Sequence, residues 1–171
     1  MNLGLILVML LGVFPLGVFI YIIYPFLKKG ASYEKSSNTS VENMLTLSKV
    51  KKGEKVVDLG SGNGKILIKF AENGAIAYGY EINPILVLYS KWKIKRKGLE
   101  KRAFVYWRNF WHEDLSKFNI ISLFQYKFLM PKLERKLKKE LKKGTRIVSN
   151  VWTFPNLKLK EKKGNVFLYK I

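Results

Sequence analysis

Residues 56 to 64 read Val-Val-Asp-Leu-Gly-Ser-Gly-Asn-Gly, an apolar strand that ends in an acid and runs straight into three glycines. Glycine has no Cβ, so the chain can turn sharply there at positive φ and bring its backbone against a ligand. A helix over Lys65 to Glu72 follows, stopped by Asn73-Gly74, and the amides at its start point at whatever occupies the bend. A second apolar strand, Ala75 to Glu81, closes on another acid 23 residues after Asp58, placed to accept two hydrogen bonds from a ribose diol. The pairing describes a nucleoside-binding βαβ unit.

Spacing narrows the ligand. A dinucleotide bend needs G-x-G-x-x-G, whereas Gly60-Ser61-Gly62-Asn63-Gly64 is G-x-G-x-G with an acid before it. The Gly64-Lys65 pair resembles the end of a phosphate loop, but Leu59 stands where that loop needs its first glycine and Ile66 where it needs Ser or Thr. Asp58 would repel a pyrophosphate and attract an ammonium. The pattern therefore favours S-adenosylmethionine over NAD, ATP or GTP.

Along the rest of the chain, Ser40 is placed to cap a helix whose Val41, Met44, Leu45 and Leu47 form an apolar stripe, ending between Lys49 and Gly53. Strand one is read over Glu54 to Leu59. Asn83-Pro84 starts another helix with a capping side chain and a proline at its first position; Ile85, Leu88, Tyr89 and Trp92 share one face, and Gly98 ends it. Ala103 to Trp107 and Ile120 to Gln125 read as strands three and four. A basic helix over Pro131 to Lys143 repeats Leu133, Leu137 and Leu141, and Arg146 to Trp152 is strand five. Leu157 to Lys160 and Asn165 to Lys170, joined by Glu161 to Gly164, form a closing hairpin. The alternation predicts an α/β fold, a doubly wound Rossmann-like sheet with an antiparallel C-terminal hairpin.

All 32 Lys and Arg and all 12 Asp and Glu follow residue 27, so the net charge of +20 belongs to the later part of the chain. Such a surface suits anionic lipid, acidic protein or nucleic acid. Leu3 to Leu27 is apolar without a charge and is followed by Lys28-Lys29, which predicts an N-terminal transmembrane helix over residues 1–29 and a second domain over 30–171. The basic flank would then place that domain on the cytoplasmic side of a single-pass membrane protein, with an anionic membrane surface as partner. With no cysteine, disulfides, thiolate ligands and a Cys nucleophile are excluded, and no metal is expected.

Four blocks carry a family resemblance: Val57 to Gly64; Gly79-Tyr80-Glu81-Ile82-Asn83-Pro84; Asn109-Phe110-Trp111; and Pro131 to Leu137 with Gly144-Thr145-Arg146-Ile147-Val148-Ser149. Over residues 31 to 171 the chain resembles the small class I protein lysine methyltransferases, which include enzymes acting on the ATP synthase c-subunit and the adenine nucleotide translocase and broad-specificity archaeal relatives. The resemblance implies S-adenosyl-L-methionine as cofactor and a lysine-bearing protein as substrate. It implies a cofactor-binding set of Asp58, Gly60, Ser61, Gly62, Gly64, Glu81, Asn83, Asn109 and Phe110, with Glu81 at the ribose and Asn109 by the adenine. Relatives carry Tyr-Val-Pro-Thr before the first helix, near the methyl-transfer site; here Tyr33 is followed by Glu34-Lys35-Ser36.

Methyl transfer to lysine needs a neutral amine, and burial or a nearby positive charge favours loss of its proton. Alignment then supplies most of the rate. Aromatic walls for the ammonium or sulfonium are sought in Tyr33, Tyr126, Trp152 and Phe154, with Tyr33 and Tyr126 as the catalytic pair. The lone histidine, His112, reads as a loop residue. Phe124-Gln125-Tyr126-Lys127 stands where a base methylase would carry Asn-Pro-Pro-Tyr. An RNA methyltransferase and a tethered S-adenosylmethionine-binding module without transferase activity are the alternatives.

Overall fold

The computed structural model describes residues 3–19 and 37–171. Two compact units are present, Met1–Lys35 and Ser36–Ile171.

In the first unit the described residues are helical, but Met9–Val13 is a π-helical stretch, with the Phe14 N–H donating to Met9 O. Pro15 lacks an N–H and crowds the preceding turn, a common reason for such a widening. Among the described residues no helix is long and apolar enough to cross a membrane. The transmembrane helix and the single-pass membrane location expected from composition are corrected accordingly. Residues 20–29 of that expected anchor lie outside the described residues.

The second unit is built on a seven-stranded sheet in the order β3-β2-β1-β4-β5-β7-β6. Its strands are β1 (Lys55–Leu59), β2 (Ile76–Glu81), β3 (Ala103–Trp107), β4 (Ile120–Leu123), β5 (Arg146–Asn150), β6 (Leu159–Lys163) and β7 (Val166–Lys170). The first five are parallel, and β7 runs antiparallel between β5 and β6. The chain order reverses between β1 and β4, the position where ligands bind outside the carboxyl ends of such sheets.

Helices α1 (Asn38–Ser48), α2 (Lys65–Glu72) and α3 (Pro84–Arg96) contribute Met44, Leu47, Phe70 and Val87 to one core layer, against Val56, Ala77, Ile120 and Val148. On the opposite face α4 (Met130–Glu140) sets Leu133 and Leu137 against Val57, Leu59, Ile121 and Ile147. Successive strand residues point to opposite faces, and both are covered, which accounts for the continuous apolar runs.

Boundaries move where side chains outcompete pattern. α1 is capped by Ser37, whose Oγ accepts from Ser40 N at 3.0 Å, three residues before the expected cap. The hairpin turns at Gly164-Asn165, with Gly164 at φ 56°, later than the expected turn. The shared face of Ile85, Leu88, Tyr89 and Trp92 on α3 points outward; the sheet side is made by Val87, Ser90 and Ile94.

Candidate active site

β1 carries Asp58 into the bend between the sheet and α2. Gly60 N and Ser61 N both donate to Tyr80 O of β2, at 2.9 and 3.1 Å, so the bend folds back over the neighbouring strand. Gly60, Gly62 and Gly64 take φ of 76°, 52° and 73°. At Gly60 the positive φ favours glycine, and a Cβ there would lie 2.6 Å from Gln125 Nε2, so that amide would have to shift. That amide donates to Leu59 O at 2.7 Å, tying the loop after β4 to the bend. From the other side Ser90 of α3 donates to Gly62 O at 3.0 Å, and Lys93 Nζ to Asn63 O at 3.0 Å.

Glu81 ends β2 with its carboxylate across the bend. Oε2 accepts from Gly62 N and Oε1 from Asn83 N, both at 2.8 Å. Each oxygen has a second lone pair, so the group retains acceptor capacity for a diol. Asp58 is 2 % exposed and accepts from Ser122 Oγ at 3.0 Å. Burial first, and the Glu81 carboxylate after it, push Asp58 up to about 7, against the opposing Ser122 hydrogen bond. Among the described residues neither Asp58 nor Glu81 has an ion-pair partner. Two buried carboxylates without a cation, in a chain of charge +20, suit a positively charged ligand.

Asn83 caps α3, its Oδ1 accepting from Ile85 N at 2.9 Å. Asn109 lies half-buried beyond β3 and caps the short turn Phe110–His112, accepting from Trp111 N at 3.1 Å. Phe110 is buried in the core layer beneath. The Ser61 hydroxyl is buried, with no hydrogen-bond partner among the described residues, at the point where a Cβ on Gly79 would come within 2.6 Å. Tyr126 is half-buried beyond β4 and stacks on Phe128, ring centroids 5.7 Å apart. Tyr33 lies outside the described residues. Trp152 is partly exposed, with Lys127 Nζ 6.0 Å from its ring. Phe154 is no wall: it is buried edge-on against Tyr169 at 5.1 Å. His112 is exposed.

Sequence reasoning missed Gln125, Ser122 and Ser90, which hold the bend and its acid in place. It also missed the need for Gly79, although a glycine inside a strand signals close approach of another group.

The family model of the ANTKMT methyltransferase domain matches residues 58–161. The chain belongs to this family. It is 33% identical over 149 residues to a protein-lysine N-methyltransferase of Saccharolobus islandicus, covering 81% of this chain and 92% of the relative. An ATP synthase c-subunit lysine N-methyltransferase of Xenopus laevis is 36% identical over 124 residues, 72% of this chain and 54% of that protein. The chain thus spans about half the length of the vertebrate c-subunit lysine N-methyltransferases it matches. Among solved structures, an RNA methyltransferase from Salinibacter ruber in complex with S-adenosyl-L-homocysteine superposes with a TM-score of 0.75. It is 26% identical and covers 81% of this chain and 94% of its own. The family and the strand order bear out the class I methyltransferase fold expected from the glycine bend.

Proposed function

We propose that this chain is an S-adenosyl-L-methionine-dependent methyltransferase acting on lysine side chains of proteins, with residues 30–171 as its methyltransferase domain. The observation that carries the reading is the pair of buried carboxylates, Asp58 and Glu81, at a glycine bend, without an ion-pair partner among the described residues. The chain's relatives, an ATP synthase c-subunit lysine N-methyltransferase and a protein-lysine N-methyltransferase, support lysine as acceptor. The charge of +20 supports an anionic partner, whether a bilayer surface or, as second choice, nucleic acid.

When bound, the donor supplies a methyl group activated by a sulfonium sulfur. The free lone pairs of Glu81 suit the ribose hydroxyls, and the Asp58 carboxylate suits the ammonium of the methionine part. Gly60, Ser61, Gly62 and Gly64 present backbone, while Asn83, Asn109 and Phe110 border the nucleoside end. Gln125 and Ser90 keep the bend in one shape, so little ordering cost falls on binding. Tyr33 and Tyr126 are assigned the acceptor side, where an aromatic wall strips water from the lysine ammonium and favours its neutral form.

A second reading, methylation of RNA, draws on the solved relative from Salinibacter ruber. Incubating the protein with methyl-labelled donor and a cell lysate, then with nuclease or protease and acid hydrolysis, separates the two. Recovery of labelled methyl-lysine is the expected outcome. Label lost to nuclease would establish the second reading, and donor binding without any transfer would contradict both.

A further inference from the structure

A cleft of about 780 Å³ lies at the other end of the sheet, lined by residues that precede or begin β1, β4 and β5: Glu54, Asn119 and Arg146. Asp58 and Gln125 stand at or beyond the carboxyl ends of β1 and β4. A five-residue strand separates its two ends by roughly 17 Å. The cleft shares no residue with the candidate active site.

Its lining is strongly one-signed, with eight cationic side chains against one carboxylate, Glu54. That carboxylate is already engaged by Arg146, whose guanidinium also donates to Ser48 O at 2.6 Å and Lys49 O at 3.0 Å. Lys49 makes only a loose pair with Glu161 at 3.9 Å. Among the described residues Lys117, Lys142, Lys143, Lys160 and Lys170 have no ion pair. On a convex surface such groups spread into solvent, but a cleft gathers them, and its walls focus their field on the space between.

The same residues define the ligand. Arg146 is used up inside the protein, so it offers no guanidinium fork for bidentate recognition, and the remaining cations are lysines, which bind phosphate as point charges; Lys117 also lies 5.4 Å from the Phe118 ring. The one aromatic ring in the lining, Phe118, is 2 % exposed and offers no face for a base. The cleft therefore reads charge and not shape. We propose that it is a binding site for a run of linked phosphate groups, held by Lys117, Lys142, Lys143, Lys160 and Lys170.

The test is calorimetric titration of the full chain with sodium tripolyphosphate and, in parallel, with a twelve-residue oligodeoxythymidine, each at low and physiological salt. Lys142→Glu/Lys143→Glu reverses two charges in the cleft. Lys91→Glu/Lys95→Glu makes the same change of net charge on α3, away from it. The expected result is binding that the cleft variant weakens at least tenfold and the α3 variant less than twofold, with affinity falling as salt rises. If tripolyphosphate shows this contrast the source is a free oligophosphate; if only the oligonucleotide does, it is a nucleic-acid backbone. Lys160→Gln/Lys170→Gln, which adds no negative charge, repeats the contrast should the first variant unfold. Equal losses in cleft and α3 variants, or no binding of either probe, would overturn the proposal. Donor binding is measured on the same samples and stays unchanged in every variant, so the outcome is independent of the methyltransferase reading.

Discussion

Asp58 links the site to stability. Its raised proton affinity, to about 7 from 3.8, means that between these values the folded protein keeps a proton that the unfolded chain has released. Stability of the donor-free protein is thus expected to fall as pH rises from about 4 to about 7. Asp58→Asn should remove that slope and raise the melting temperature at pH 8 by a few degrees. The same change should weaken donor binding about tenfold or more, since a charge-assisted contact is lost. Thermal melts across pH 4 to 8 and calorimetry check the two halves, and a variant less stable than the parent at pH 8 would refute the burial argument. Gly60→Ala would force a Cβ to 2.6 Å from Gln125 Nε2 at a positive φ, at a cost of about 1–3 kcal/mol by denaturant unfolding. His112→Ala should leave turnover within about threefold, because the ring is exposed and no proton transfer in the proposed reaction needs it.

At the scale of elements, legibility followed chemistry more than periodicity. The helix α2 was readable because glycines precede it and Asn73-Gly74 stop it, and α3 because Asn83-Pro84 starts it in one unambiguous way. β4 and β5 each ended two residues early, as apolar residues such as Val151 and Trp152 continued the pattern while Val151 turned to φ 70°. The stripe on α3 shows the limit of periodicity: Ile85, Leu88, Tyr89 and Trp92 share a face, but the sheet takes the side holding Ala-sized and β-branched contacts at Ser90 and Val87. Pattern reports which residues share a face and not which neighbour that face meets. Leu88→Gln is accordingly expected to change stability by less than about 0.5 kcal/mol. Leu133→Ala, fully buried in α4, should cost about 2–5 kcal/mol by urea unfolding. Similar values for the two would mean that α3 is buried on its outer side.

Across the whole molecule, charge is separated by function. The body carries +20, yet the carboxyl ends of β1 and β2 meet in two buried acids without an ion-pair partner among the described residues. The acids and the glycine bend were readable from the sequence because their spacing is local. Gln125 and Ser122 were not, since they reach the bend across 66 and 64 residues of chain and carry no signature of their own. Charge-free composition at residues 1 to 27 misled in the other direction: it measures hydropathy but not helix length, and among the described residues no helix is long and apolar enough to cross a membrane. The most direct test of the carboxylate-flanked bend is calorimetric titration of S-adenosyl-L-methionine into the parent protein and Glu81→Ala, with folding of both verified by thermal melts. One-to-one binding by the parent and a loss of about a hundredfold, near 2.7 kcal/mol, in the variant is the expected result. Affinity unchanged within about threefold in a folded Glu81→Ala protein would place the donor elsewhere and contradict the proposed site.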